Sequence, residues 1–155
     1  MPDNTNPKRP LLLPPVVLLA AVLLCVALDH WLPIVEFGSS AGRVIGIATI
    51  VSAFAVVFYC AREFRRRQTT IVPFQVSTSL ITGGLYRCSR NPIYVAMTAL
   101  LCGVAIALGS ASPWMVPPLF MAIISKRFIQ KEEAALTATF GDKYLEYTRR
   151  VRRWL

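Results

Sequence analysis

Two long stretches without a single charge, residues 11–28 and 44–61, constrain this chain more than any other feature. Each is about 18 residues, enough to cross the hydrocarbon of a bilayer as a helix. A backbone that crosses lipid must satisfy its own hydrogen bonds, so helices are expected throughout. The first stretch carries Pro14 and Pro15 near its start, where missing amide donors cost least. Lys8 and Arg9 precede it, as in a secretory signal, but the apolar segment is longer than such signals use and further apolar segments follow. It therefore reads as a retained helix, closed by His30 and Trp31 at the interface.

Two shorter apolar runs follow, residues 93–108 and 114–124, separated by the turn signal Gly109-Ser110-Ala111-Ser112-Pro113. A tight helical hairpin, with its second helix continuing past Ser125 into a polar segment, accommodates both. The expected fold is all-α: a polytopic membrane protein of about four transmembrane helices with a cytosolic C-terminal helix. It forms one domain over residues 1–155, with two transmembrane helices in 1–61 and the chemistry-bearing region in 62–155.

Charge sets the orientation. The chain of 155 residues is 55% hydrophobic and 16% charged, with 17 basic against 8 acidic residues and a formal charge of +9. The basic residues lie between and after the apolar runs, not on a face interleaved with aromatics, so the expected partners are anionic membrane lipids and not nucleic acid. With both termini cytosolic, every basic residue except Arg43 falls on the inner side, as the positive-inside rule requires. An inner, cytoplasmic membrane is the expected location. Residues 1–10 form a short polar tail.

The 4 cysteines include no CxxC pair, so neither a disulfide framework nor a metal site is expected. Cys25, Cys60 and Cys102 sit in apolar runs. Cys88 lies between Arg87 and Arg90, which could activate a thiol, yet no histidine stands nearby and a passive role is the simpler reading.

Two polar segments hold residue types that topology alone does not demand. In the first, Gly83-Gly84 allows close backbone approach, Asn91 suits a helix N-cap, and Pro92 suits the first helical position. A purely structural reading covers these features. A functional reading makes the positive end of the third helix, with Arg90, a place for a carboxylate or phosphate. In the second segment, Glu132 and Glu133 stand beyond the fourth run among basic residues. They form a solvated face, pair with Arg87, Arg90 or Lys126, or meet a cationic ligand. A ligand carrying both a carboxylate and an ammonium would suit the two segments together.

The ordered set Leu80-Ile81-Thr82, Gly84-Leu85-Tyr86-Arg87, Ser89-Arg90-Asn91-Pro92-Ile93-Tyr94, Glu132-Glu133-Ala134-Ala135-Leu136 and Phe140-Gly141-Asp142-Lys143-Tyr144-Leu145-Glu146-Tyr147 resembles the isoprenylcysteine carboxyl methyltransferase family, itself similar to the phospholipid methyltransferases. The match covers roughly residues 69–155. The resemblance implies an S-adenosylmethionine-dependent methyltransferase acting on a membrane-borne, lipid-like acceptor, at a carboxylate. It implies that Arg90, Asn91, Pro92, Tyr94, Glu132 and Glu133 hold the cofactor with Leu80, Ile81 and Tyr86, and that Arg90 and Glu133 serve catalysis. The chain departs from the family pattern in having Asn91 for histidine, Leu85 for proline, Ala96 for glycine, and Phe128 where the eukaryotic enzymes carry an arginine. Two other readings stand beside it: an NADPH-dependent sterol-type membrane reductase, and a non-catalytic membrane subunit that keeps the fold.

Overall fold

The computed structural model describes residues 13–66 and 80–155. Expectations that fall on residues 1–12 and 67–79, including the polar tail and the start of the first polar segment, lie outside the described residues. Among the described residues the structure is helical, with no strand beyond an isolated bridge between Glu36 and Ser110. The order is α1 (Pro14–Trp31), α2 (Ser40–Arg66), a 3-10 turn (Gly84–Arg87), α3 (Pro92–Leu108), a 3-10 turn (Ser112–Met115), α4 (Val116–Ile124), a π-helical turn (Ser125–Ile129), α5 (Gln130–Phe140) and α6 (Asp142–Arg150).

Helix α1 begins with proline in its first turn, as expected, but runs to Trp31 instead of stopping with the apolar residues. Helix α2 is longer still, 27 residues, and takes in Arg43 at one end and Arg62, Arg65 and Arg66 at the other. Charge ends the apolar run but not the helix, because arginine is a good helix former and favours the negative C-terminal end of the dipole. Both helices are long and apolar enough to cross a membrane. Only 11% and 17% of their apolar windows are buried within the protein, so their surfaces face outward, unlike the core helix of a soluble protein.

Helices α2 and α3 lie backbone to backbone. The buried residues of α2 are Gly46, Ala53 and Cys60, small residues repeating every seventh position, and Ala96 and Gly103 of α3 repeat likewise. Small residues at this spacing let two membrane helices approach closely where packing, not the hydrophobic effect, must hold them. A methyl group added at Gly103 would lie 2.9 Å from the Gly46 carbonyl oxygen and 2.9 Å from Ile50 Cγ1. Gly103→Ala is accordingly expected to cost about 1–3 kcal/mol through overpacking. A lowered thermal midpoint in detergent would show it, and an unchanged midpoint would mean that the two helices are not in this contact.

Helix α1 packs on the other side of α3, with Ala21 and Cys25 in a core shared with Tyr94, Met97, Leu101, Phe120, Ile124, Phe128 and Ile129. The expected α3–α4 hairpin is present. Gly109 closes α3 in the left-handed conformation, and the chain passes through the 3-10 turn into α4, which continues through the π-helical turn and α5 to Phe140. The connection after α1 is tied to this hairpin tip: Ser112 Oγ donates to Leu32 O at 2.6 Å, Ser110 Oγ to Asp29 Oδ1 at 2.5 Å, and Phe37 N to Gly109 O at 2.8 Å. At the opposite end, the helices bring the two polar segments together.

Candidate functional site

The first polar segment enters the described residues at Leu80, which is half-buried, and Ile81, which is buried with Tyr86 against Cys60 of α2. Gly84 has φ +60°, and a methyl group there would stand 2.8 Å from the Tyr59 hydroxyl, so the position calls for glycine twice over. The turn it makes drives Tyr86 inward. The Tyr86 phenol shares a hydrogen bond with the Cys60 thiol, its ring meets Phe64 edge-on at 6.0 Å, and its carbonyl accepts from the Tyr147 hydroxyl at 2.6 Å. Burial raises its pKa well above the usual phenol value, and the nearby Glu132 charge adds to the shift.

At the start of α3, Pro92 takes the first helical position as expected, but the Asn91 side chain makes no N-cap bond. Its amide donates instead to the carbonyl of Arg153 at 3.0 Å, while its own N–H is accepted by Ser89 Oγ at 3.0 Å. Buried Ser89 also donates to Arg153 O at 3.3 Å, and Arg90 N donates to Arg152 O at 2.9 Å. The C-terminal residues thus form a strap across the start of α3, anchored by Trp154 against the main core. Ser89, three residues before Pro92, and the carbonyls of the tail fix the segment leading into α3, and the Asn91 side chain is spent on the strap.

The carboxylates of α5 face this end. Tyr94 Oη donates to Glu132 Oε1 at 2.7 Å. Glu133 takes a two-pronged contact from Arg153, Nε to Oε1 at 3.1 Å and Nη2 to Oε2 at 2.5 Å, and Arg90 Nη2 approaches Oε1 at 3.2 Å. The side chains of Arg90 and Glu133 are 14% and 16% exposed, that of Arg153 38%. Arg90 Nε is buried with no hydrogen-bond partner.

Two carboxylates and two guanidiniums therefore meet at the start of α3, but unequally. Glu133 is neutralised by both arginines. Among the described residues Glu132 has a neutral phenol as its one partner, and its pKa is raised, first by burial and further by the Glu133 charge, against the opposing pull of the Tyr94 bond. Tyr144 is pushed up to about 12 by burial and then by Glu133, and Tyr147 to about 12 by burial and then by Tyr144. The hydrogen bond to Glu133 is the main cause that raises Arg153 further.

The structure thus gathers Arg90, Tyr94, Glu132 and Glu133, with Asn91 and Pro92 beneath them and Tyr86 close by, while Leu80 and Ile81 lie on the α2 side of the turn. Ser89 and Arg153 were not foreseen. Ser89 lies inside the matched motif with no role implied for it, and Arg153 lies beyond the matched motifs. Cys88 is exposed, and His30 stacks edge-on with Trp31 at 5.8 Å at the far end of the molecule. Among the described residues, no group of 3 or more His, Cys, Asp or Glu is placed to hold a metal ion.

Residues 41–143 match the model of the family described as phospholipid methyltransferase. An uncharacterised protein of Haemophilus influenzae is 33% identical over 63 residues, 41% of this chain and 100% of that protein. The protein-S-isoprenylcysteine O-methyltransferase of Schizosaccharomyces pombe is 35% identical over 75 residues, 46% of this chain but 30% of that enzyme. No solved structure matches the chain significantly.

Proposed function

Because the chain belongs to the phospholipid methyltransferase family, we propose that it transfers a methyl group from S-adenosylmethionine to the carboxylate of a membrane-borne, lipid-like amphiphile. The observation that carries this reading is the charged cluster at the start of α3, where, among the described residues, Glu132 has no cationic partner and Arg90 Nε has no hydrogen-bond partner. The amino-acid portion of S-adenosylmethionine bears an ammonium and a carboxylate, which are the complements of those two groups. Glu132 and Glu133 would hold the ammonium and Arg90 the carboxylate, with Leu80, Ile81, Tyr86, Asn91 and Pro92 lining the site. When bound, the cofactor supplies a methyl on a sulfonium, open to in-line displacement without a metal.

The residues of this chain then position and exclude water. Tyr94 orients Glu132, and the strap with Tyr144 and Tyr147 covers the cluster from the polar side. A carboxylate acceptor is already ionised and asks for no base. An amine acceptor would need one, and at Glu133, the nearest candidate, both carboxyl oxygens are already paired with Arg153 and one also with Arg90. That pairing favours the carboxylate acceptor. Transfer of label from methyl-tritiated S-adenosylmethionine to a membrane extract tests the assignment.

The same reading has α3 and α4 complete about four membrane spans in the cytoplasmic membrane. Both termini, α6 and the charged cluster are then cytosolic, and the hairpin tip with the Glu36–Ser110 bridge faces outward. In a background with Cys88 replaced by serine, a membrane-impermeant thiol reagent applied from outside is expected to label a cysteine at Ser39 and to spare one at Thr148. The reverse pattern would place the charged cluster in the wrong compartment for the cofactor.

A further inference from the structure

The π-helical turn between α4 and α5 arranges its residues in pairs: Lys126 and Arg127 are both exposed, and Phe128 and Ile129 are both buried in the core. The wider turn of a π-helix brings consecutive residues closer together around the axis than an α-helix does. Lys126 and Arg127 point outward together, continuing the exposed adjacent pairs Pro118/Leu119 and Ala122/Ile123 of α4. They continue the face that displays Met115, Leu119 and Ile123, large apolar side chains exposed along α4. Among the described residues, no hydrogen bond or ion pair engages either cation.

Their depth matters. The Tyr94–Glu132 bond sets Glu132 level with the first turn of α3. Lys126 and Arg127 precede Glu132 on one continuous helix and so lie about 7–9 Å from it toward the hairpin tip, at 1.5 Å per residue. On the four-span reading, on which this inference rests, that places two unpaired cations below the cytosolic ends of the helices on a lipid-facing surface. A cation there must reach up to the headgroups or draw an anion to itself. Two neighbouring cations on one face make the second a shared site.

We propose that Lys126 and Arg127 form a binding site for the phosphate of an anionic phospholipid of the cytosolic leaflet, seated on the outer face of the π-helical turn. Charge complementarity and the continuous apolar face beneath select such a lipid over a zwitterionic one, whose own ammonium would meet the same cations. The site is distinct from the Arg90–Glu132 cluster, and its occupancy is read as bound lipid, so either assignment can fail without the other.

Native mass spectrometry of the full chain, released from micelles containing equal amounts of phosphatidylglycerol and phosphatidylcholine, tests the site. The wild type is expected to retain one phosphatidylglycerol in preference to phosphatidylcholine. Lys126→Gln with Arg127→Gln should lower that preference roughly tenfold or more, given two cations near the surface. Lys126→Arg with Arg127→Lys should keep it, and so should Arg149→Gln with Arg150→Gln, which removes exposed cations elsewhere on the cytosolic side. Equal retention of the two lipids by the wild type, or equal loss of preference in the Arg149/Arg150 control, would overturn the proposal. The conservative exchange also guards against a folding defect: if it loses the lipid while keeping the wild-type thermal midpoint, the paired cations are not the determinant.

Discussion

Glu132→Ala is expected to weaken S-adenosylmethionine binding tenfold to a hundredfold while the chain still folds and enters the membrane. The affinity follows from losing a charge-assisted bond to the ammonium, worth roughly 1.5–3 kcal/mol. Loss of the acceptor for the buried Tyr94 hydroxyl costs about 1–3 kcal/mol, and the pH dependence of stability follows from the direction of the pKa shift. Burial raises the carboxyl of Glu132 above its ordinary value. A raised acid favours folding in its protonated form, so its contribution is full at low pH and is lost as pH rises through the shifted pKa. Binding runs the opposite way: an ammonium needs the ionised carboxylate, and affinity should fall as pH drops through the same value. Calorimetric titration from the ordinary carboxyl value of 4.5 upward would reveal both. Unchanged affinity in Glu132→Ala, or affinity insensitive to pH there, would return the carboxylate to a purely structural role.

Glu133→Ala should do the reverse and damage the fold. Its carboxylate neutralises Arg90, which is 14% exposed, and clamps Arg153 in the C-terminal strap. Removing one partner of a buried pair leaves an uncompensated charge and costs about 3–5 kcal/mol. Arg153, at 38% exposed, can turn to water, so the lower end of that range is expected. Glu146, whose pair with Arg150 lies on the exposed face of α6, supplies the contrast: Glu146→Ala should cost about 0–1 kcal/mol. Thermal unfolding of the two variants in one detergent decides the point, and equal midpoints would mean that Glu133 carries no structural load.

These two neighbours have different roles because of what surrounds them, and only part of that was legible beforehand. The apolar runs announced α1, α2 and the α3–α4 hairpin, since uncharged stretches of such length have few other uses. The close contact of α2 with α3 was also written in the chain, in Gly46, Ala53 and Cys60 at every seventh position, but it is a pattern of small residues and not of hydrophobic ones. Arg90, Tyr94, Glu132 and Glu133 stand far apart in sequence, and residue chemistry alone left a solvated face and a ligand site both open. Their meeting was implied by family resemblance. The strap was not legible at all. It holds the start of α3 through the main-chain carbonyls of Arg152 and Arg153, which every residue possesses, so no side-chain pattern marks it. With it went the role of Asn91, whose amide serves the strap and not the helix cap.

The π-helical turn was equally hidden, since nothing in Ser125-Lys126-Arg127-Phe128-Ile129 distinguishes it from a regular helix by propensity. Through it Phe128 enters the core shared with α1 and α3 while Arg127 stays outside.

The proposed methyl transfer from S-adenosylmethionine to a membrane carboxylate gives a product that alkali distinguishes from others. Membranes containing the wild-type chain, incubated with methyl-tritiated S-adenosylmethionine, are extracted and treated with base, and the volatile counts are measured. A methyl ester releases its label as methanol, whereas methyl groups on nitrogen, sulfur or an ether oxygen stay behind. Base-labile counts above those of membranes lacking the protein are expected, and their loss in Glu132→Ala. Label that resists base would contradict the carboxylate acceptor, and no incorporation by a folded, membrane-inserted chain across a range of lipid extracts would contradict the methyltransferase itself.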